Sequence, residues 1–193
     1  MFLKWWRQPS RDRNIETIYG VIVAQAREPV FYTGYGVPDT VEGRFDMIVL
    51  HLFLYIRRIS GRVIASAATQ PLFDRFCADL DGNLREMGVG DLTVPKKMQK
   101  FAGAFYGRSA AYEKALVASD HETATAALAR NVFGRETPTP GAGLLADYMF
   151  KAAGALRVID DGALERGAFA FPDPAVLGRA ALAAGDTDRD ARP

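Results

Sequence analysis

The chain has 193 residues, 49% of them apolar, with 12 Phe, 7 Tyr and 2 Trp, which is enough to fill one sizeable core and predicts a single domain. Its formal charge of +1 excludes a global field that would draw in DNA or acidic substrates, so recognition by charge rests on local patches. One cysteine, Cys77, excludes an internal disulfide and any cysteine-built cluster, and two histidines, His51 and His121, give no basis for a transition-metal site.

Residues 1–12 form a basic and aromatic arm. "MFLKWWRQPSRDR" lacks the apolar stretch of a secretory signal, so none is expected. Trp5 and Trp6 lie between Lys4 and Arg7, a pattern suited to the headgroup region of a membrane. An arm that covers part of the core is the equal alternative.

Helical signals fill residues 13–172. "IETIYGVIVAQAR" (15–27) places Ile15, Ile18, Ile22 and Ala26 at helical spacing, and Pro29 ends it. "FYTGYGVPD" then reads as an ordered loop with apolar anchors. Asp39 with Glu42 has capping-box spacing and opens a helix to about residue 58 or 60 that is apolar almost all round, hence central. The longest apolar run, "MIVLHLFLYI" (47–56), is far shorter than the roughly 20 residues that span a bilayer. Asp46 and Arg57 each need a partner from elsewhere in the fold.

The next helix runs over about 67–87, with Leu72, Phe73, Phe76, Cys77, Leu80 and Leu84 as its core stripe. Its end, "DLDGNLREMGVGD" (79–91), imitates a calcium loop. Counted from Asp79, the sixth position is Leu84 where glycine is needed and the twelfth is Gly90 where glutamate is needed. Asp79, Asp81 and Asn83 are thus read as surface residues of the last turns, and Gly88 and Gly90 as stop signals. Asp91 or Thr93 caps the following helix, with Pro95 in its first turn.

That helix, "VPKKMQKFAGAFYGRSAAYEKAL" (94–116), has two faces. Met98, Phe101, Phe105, Tyr112 and Leu116 form an ordinary core stripe. Opposite lie Lys96, Lys100, Gly103, Gly107, Ala111 and Lys114, flanked by Tyr106 and Arg108. Glycine in a helix interior costs about 1 kcal/mol relative to alanine, so this face needs a reason. Either a neighbouring helix of the same domain packs there, or it is a docking strip with lysine rims that receives a helix, an acidic segment or phosphate oxygens.

Two further helices, about 120–133 (capped by Asp120) and 142–160, complete an all-α domain of about six helices. Residues 173–193 have the composition of a flexible tail. The chemistry of catalysis is sparse: Cys77 and His51 fall on core stripes, His121 lies at a surface, and Asp160 with Asp161 reads as a solvated helix end. No glycine-rich phosphate loop is present. No enzyme activity, cofactor or metal is expected.

Two blocks, "GVPDTVEGRFDM" and "LREMGVGDLTVPKKM", within about residues 17–133, make the chain resemble the ubiquinol–cytochrome c chaperone family. The resemblance implies an all-helical assembly factor for the cytochrome bc1 complex (respiratory complex III) that engages newly made cytochrome b, or another bc1 subunit, near the membrane. Mitochondrial members work with a small partner protein and at the ribosome tunnel exit. This chain lacks their long presequence, and its Ala-, Arg- and Asp-rich composition suits a bacterial-type member. The implied location is cytoplasmic and peripheral on the inner membrane, or the matrix side in a eukaryote. The family supplies no catalytic motif. Partner binding is therefore expected at Lys96, Lys97, Lys100, Gly103, Tyr106, Gly107 and Arg108, at the basic end formed by Arg57 and Arg58, and at Tyr35 of the apolar loop. A membrane-peripheral adaptor without chaperone activity, and less readily an uncharacterised enzyme, are the rival readings.

Overall fold

The computed structural model describes residues 9–91 and 93–176, and these form eight helices and no strand. They are α1 (Pro9–Ala26), α2 (Pro29–Thr33), α3 (Val41–Ile59), α4 (Val63–Glu86), α5 (Val94–Ala118), α6 (His121–Asn131), α7 (Pro140–Arg157) and α8 (Asp161–Glu165). The two beyond the expected six, α2 and α8, have 5 residues each, too short to show a helical period in sequence.

The middle of the bundle is α3, packed against α1, α4, α5 and α7. Met47, Val49, Leu50, Leu52 and Tyr55 are all fully buried, as the all-round apolar pattern predicts. The cap differs from expectation. Thr40, not Asp39, is the N-cap, its hydroxyl accepting from Gly43 N at 3.1 Å, while Asp39 pairs with Arg44 at 2.7 Å. Gly43 is needed because a Cβ there would lie 2.0 Å from Pro38 O.

Pro71 sits inside α4, where a missing N–H orphans the carbonyl four residues back. That carbonyl, Ala67 O, is taken up by α1: Arg11 Nε donates to it at 3.0 Å, with Arg11 Nη2 as a second donor. So α4 starts at Val63 rather than at about residue 67. Its far end behaves as expected, with Gly88 leaving the helix at φ +78°. The would-be calcium ligands are engaged within the fold: Tyr19 OH donates to Asp79 at 3.0 Å, Arg85 binds Asp81, and Asn83 Nδ2 donates to Asp79 O at 2.8 Å; Arg85 also binds Asp91.

Asp120 caps α6 through Thr123 N at 2.9 Å, as expected. Thr139 caps α7 through Ala142 N, and α7 ends at Arg157 rather than running on to 160. Asp160 instead caps α8, and Asp161 receives Arg58 at 3.0 Å and Arg62 at 2.8 Å. The pair thus lies at the solvent-accessible start of α8, where it caps that helix and ties it to Arg58 and Arg62, not at the end of α7. Residues 173–176, placed with the tail on composition, include a buried Pro174; residues 177–193 lie outside the described part, as does the arm carrying Lys4, Trp5, Trp6 and Arg7. No described helix is long and apolar enough to cross a membrane.

Candidate functional site

α5 is 25 residues long, so it runs about 37 Å. Its inner face is held by aromatic rings from α3 and α4. Phe105 meets Phe73 at 5.1 Å and Phe76 at 6.3 Å, and Phe101 meets Phe45 at 4.6 Å. Val94, Tyr112, Ala115 and Leu116 are buried along the same side.

The opposite side is open. Lys96, Lys100, Gly103, Gly107 and Lys114 are all exposed, while Ala111, expected with them, is half-buried against the core and Ala110 is exposed instead. A Cβ added at Gly103 or Gly107 would meet nothing within 4 Å. Of the two explanations for these glycines, the neighbouring helix of the same chain is therefore not found among the described residues. What remains is a smooth strip of helix with lysines toward both ends. Tyr106, 64% exposed, stands on its edge and leans on Phe73 at 5.8 Å.

Charge at the N-terminal end of this strip has no ion-pair partner among the described residues. Lys96, Lys97 and Lys100 occupy the first two turns of α5 and make no ion pair among the described residues, and the first turn holds no acid. A helix N-terminus carries the positive end of the macrodipole, so three cations there repel it. Three acids at the end of α4 and in the following turn are engaged elsewhere: Asp81 and Asp91 by Arg85, and Asp79 by Tyr19 and, at 3.8 Å, Arg75. Lys97 lies off the glycine line, turned roughly 80–100° around the helix.

Several residues expected at the partner surface have other duties. Arg108 turns inward from α5 and reaches Asp46 of α3 at 2.8 Å, crossing the Phe45 ring at 5.6 Å and donating to Asn131 O at 3.4 Å. Arg57 pairs with Glu113 at 2.7 Å. Arg58, with 7% of its side chain exposed, closes the carbonyl end of α7 by donating to Leu156 O at 2.7 Å and to Ile159 O. Tyr35 is 2% exposed and donates to Pro174 O at 2.9 Å, so its ring faces the core. The rest of its loop follows, with Phe31 and Val37 buried. The structure thus brings Lys96, Lys100, Gly103, Tyr106 and Gly107 together on one surface and places Arg57, Arg58, Arg108 and Tyr35 off it.

The Asp46–Arg108 pair is what sequence reasoning missed, although a lone acid in an otherwise apolar helix is the signal that could have found it. Asp46 is 4% exposed, and burial raises its carboxyl to about 7 while Arg108 pulls it down and Glu42 pushes it up. The two charges touch, but the angle leaves Asp46 Oδ1 without a directed hydrogen bond. His51 is the second buried polar group. Its Nδ1–H donates to Met47 O at 2.7 Å, which fixes the tautomer, and its Nε2 accepts from Tyr148 OH at 2.9 Å. Burial lowers it to about 4, so it stays neutral and its share of stability is lost as pH falls below the unfolded value of 6.5. His121 is exposed, stacked on Phe150 at 3.9 Å and paired with Asp147.

A shallow groove between α1 and α4 is lined by Glu16, Tyr19, Gly20, Arg27, Arg75 and Asp79. Its charges answer one another: Arg75 binds Glu16 at 2.9 Å and lies 4.8 Å over the Tyr19 ring, and burial raises the Tyr19 hydroxyl.

Residues 33–171 match a family model described as ubiquinol-cytochrome C chaperone. The crystal structure of the Cbp3 homolog from Brucella abortus is similar at 40% identity with a TM-score of 0.79, covering 86% of this chain and 92% of that one. No curated protein matches the chain.

Proposed function

This chain belongs to the ubiquinol–cytochrome c chaperone family, and on that premise we propose that it serves assembly of the cytochrome bc1 complex by holding newly made cytochrome b on the open face of α5. The carrying observation is that face itself. Two exposed glycines give up about 1 kcal/mol each, and three lysines repel the helix dipole, with nothing in the described chain to offset either.

A partner supplies the compensation. A helix can lie close along Gly103, Gly107 and Ala110, because small residues let two backbones approach. Carboxylates on that helix, or beside it, meet Lys96 and Lys100 at the N-terminal end. Contact rather than chemistry is the mode of action: an apolar segment is kept from aggregating until its haem or its neighbouring subunits arrive. The site of action is the membrane surface on the side where cytochrome b is inserted, reached without a spanning helix. A small partner protein or the ribosome would add contacts elsewhere on the body.

The test reverses charge where no internal contact is lost. Lys96→Glu with Lys100→Glu is expected to leave the melting temperature unchanged or slightly higher, since acids suit a helix N-terminus. Cytochrome b recovered with the purified chain is expected to fall about tenfold, the equivalent of roughly 1.4 kcal/mol of binding. Unchanged recovery from the folded variant removes the α5 face from the proposal.

A further inference from the structure

After α8 the chain stops forming helix and crosses the body as residues 168–174, "AFAFPDP". Gly167 makes the turn at φ +71°, and a Cβ there would lie 2.7 Å from Thr17 Cγ2, so glycine is needed on both counts. From this pivot the side chains alternate. Ala168 and Ala170 are exposed, Phe169 is half-buried and Phe171 is buried. Period two is the habit of an extended segment.

The body receives this strap as a binding protein receives a peptide. Phe169 stacks on Tyr55 of α3 at 5.3 Å and 25°, and Phe171 stands edge-on to His51 at 4.9 Å and 88°. Side chains of the body bind the strap's carbonyls: Gln25 Nε2 donates to Pro172 O at 3.2 Å, and Tyr35 OH donates to Pro174 O at 2.9 Å. Gln25 also donates to Tyr148 OH, which continues to His51, so the donors are held in place from behind. Rings for alternate side chains and donors for carbonyls are the two parts of extended-peptide recognition.

The strap is otherwise lightly tied. Its last main-chain bond is Ala168 N to Ala163 O at 2.8 Å, and among the described residues no main-chain to main-chain bond holds Phe169–Pro172. Pro172 and Pro174 have no N–H to offer. Segments with few backbone bonds lie at the low end of a protein's local stabilities. The carbonyl donors on the body are indifferent to sequence, because every residue carries a carbonyl. The two ring positions, with the buried Pro174, do the selecting.

We infer that the groove formed by Gln25, Tyr35, His51, Tyr55 and Tyr148 accepts an extended segment of another polypeptide with aromatic residues two positions apart, and that residues 168–174 are its resident, displaceable occupant. The groove draws on α1, α3 and α7, away from the lysines of α5, so it stands or falls separately from the α5 contact proposed above.

The probe is a labelled peptide of residues 167–176, GAFAFPDPAV. It is titrated into the full chain and into the full-length double variant Phe169→Ala/Phe171→Ala, whose groove is intact but whose strap lacks its rings. The variant is expected to bind at least about tenfold more tightly than the unaltered chain, where the strap competes for the same groove. A control peptide with both phenylalanines changed to alanine is expected not to bind. Should the variant be unfolded alone, added peptide is expected to restore its cooperative melting. A variant that neither binds the peptide nor regains its transition overturns the inference, as does equal affinity for both chains. An unaltered chain found as a dimer that the peptide dissociates gives the groove to a second copy and overturns it too.

Discussion

Arg108→Ala is expected to lose about 3–5 kcal/mol of folding stability at pH 8, and about 1.4 kcal/mol less than that at pH 5. Asp46 is 4% exposed in the centre of the bundle, and the guanidinium 2.8 Å away is the cation that meets it. Without Arg108 a carboxylate is left in low dielectric with Glu42 on its own helix and the Tyr112 ring on α5 as neighbours. Neutralising it by protonation removes part of that penalty.

The sign follows from proton counts. Burial already lifts Asp46 to about 7 against the ordinary 3.8, and losing Arg108 lifts it further. Between those values the folded state holds a proton that the unfolded state lacks, so stability rises as pH falls, by about 1.4 kcal/mol per unit at most. His51 acts in the opposite direction, since its folded value of about 4 lies below the unfolded 6.5 and acid costs it stability. That contribution is common to both chains and cancels in their difference. Denaturant unfolding of both chains at pH 8 and pH 5 checks this. An equal deficit at the two pH values would mean that Asp46 does not titrate with folding.

Phe31→Ala is expected to cost about 3–5 kcal/mol, whatever its effect on partners. The ring is fully buried and meets Tyr148 at 4.8 Å, Tyr35 at 5.4 Å and His51 at 5.6 Å, all edge-on. Its removal leaves a hole beside the His51–Tyr148 hydrogen bond that α1, α3 and α7 cannot close together. Urea unfolding measures the loss, and a value below about 1 kcal/mol would place α2 on an open surface instead.

These two residues mark how far the sequence could be read. The core face of α5 was legible because 25 residues at a 3.6 period fix which side chains share a side, and phenylalanines on one side stand opposite lysines on the other. Asp46 was legible as a residue in need of a partner, but the partner lies 62 positions away on another helix, where local pattern says nothing. Placing Arg108 beside the glycines instead of inward was the result. Phe31 and Tyr35 illustrate the same limit in a loop. Composition shows that they are apolar, while the side of the chain they face is set by α3, α7 and the strap. The start of α4 was placed about four residues late, and the contact that accommodates Pro71 inside it, Arg11 to Ala67 O, joins residues 56 positions apart. The strap was invisible for the same reason, its rings resting on residues 114 and 120 positions earlier.

The α5 contact is tested most directly by a photoreactive side chain in the strip itself. Gly107→p-benzoylphenylalanine is introduced into the full chain in cells making cytochrome b, where the added ring meets no described atom of its own chain within 4 Å of the Cβ. The same group at Val158, 81% exposed at the end of α7, serves as the comparison. Irradiation is expected to join cytochrome b to position 107, to leave position 158 essentially unjoined, and to lose the 107 product when Lys96 and Lys100 carry glutamate. Cytochrome b captured at 158 but not at 107 would contradict the account.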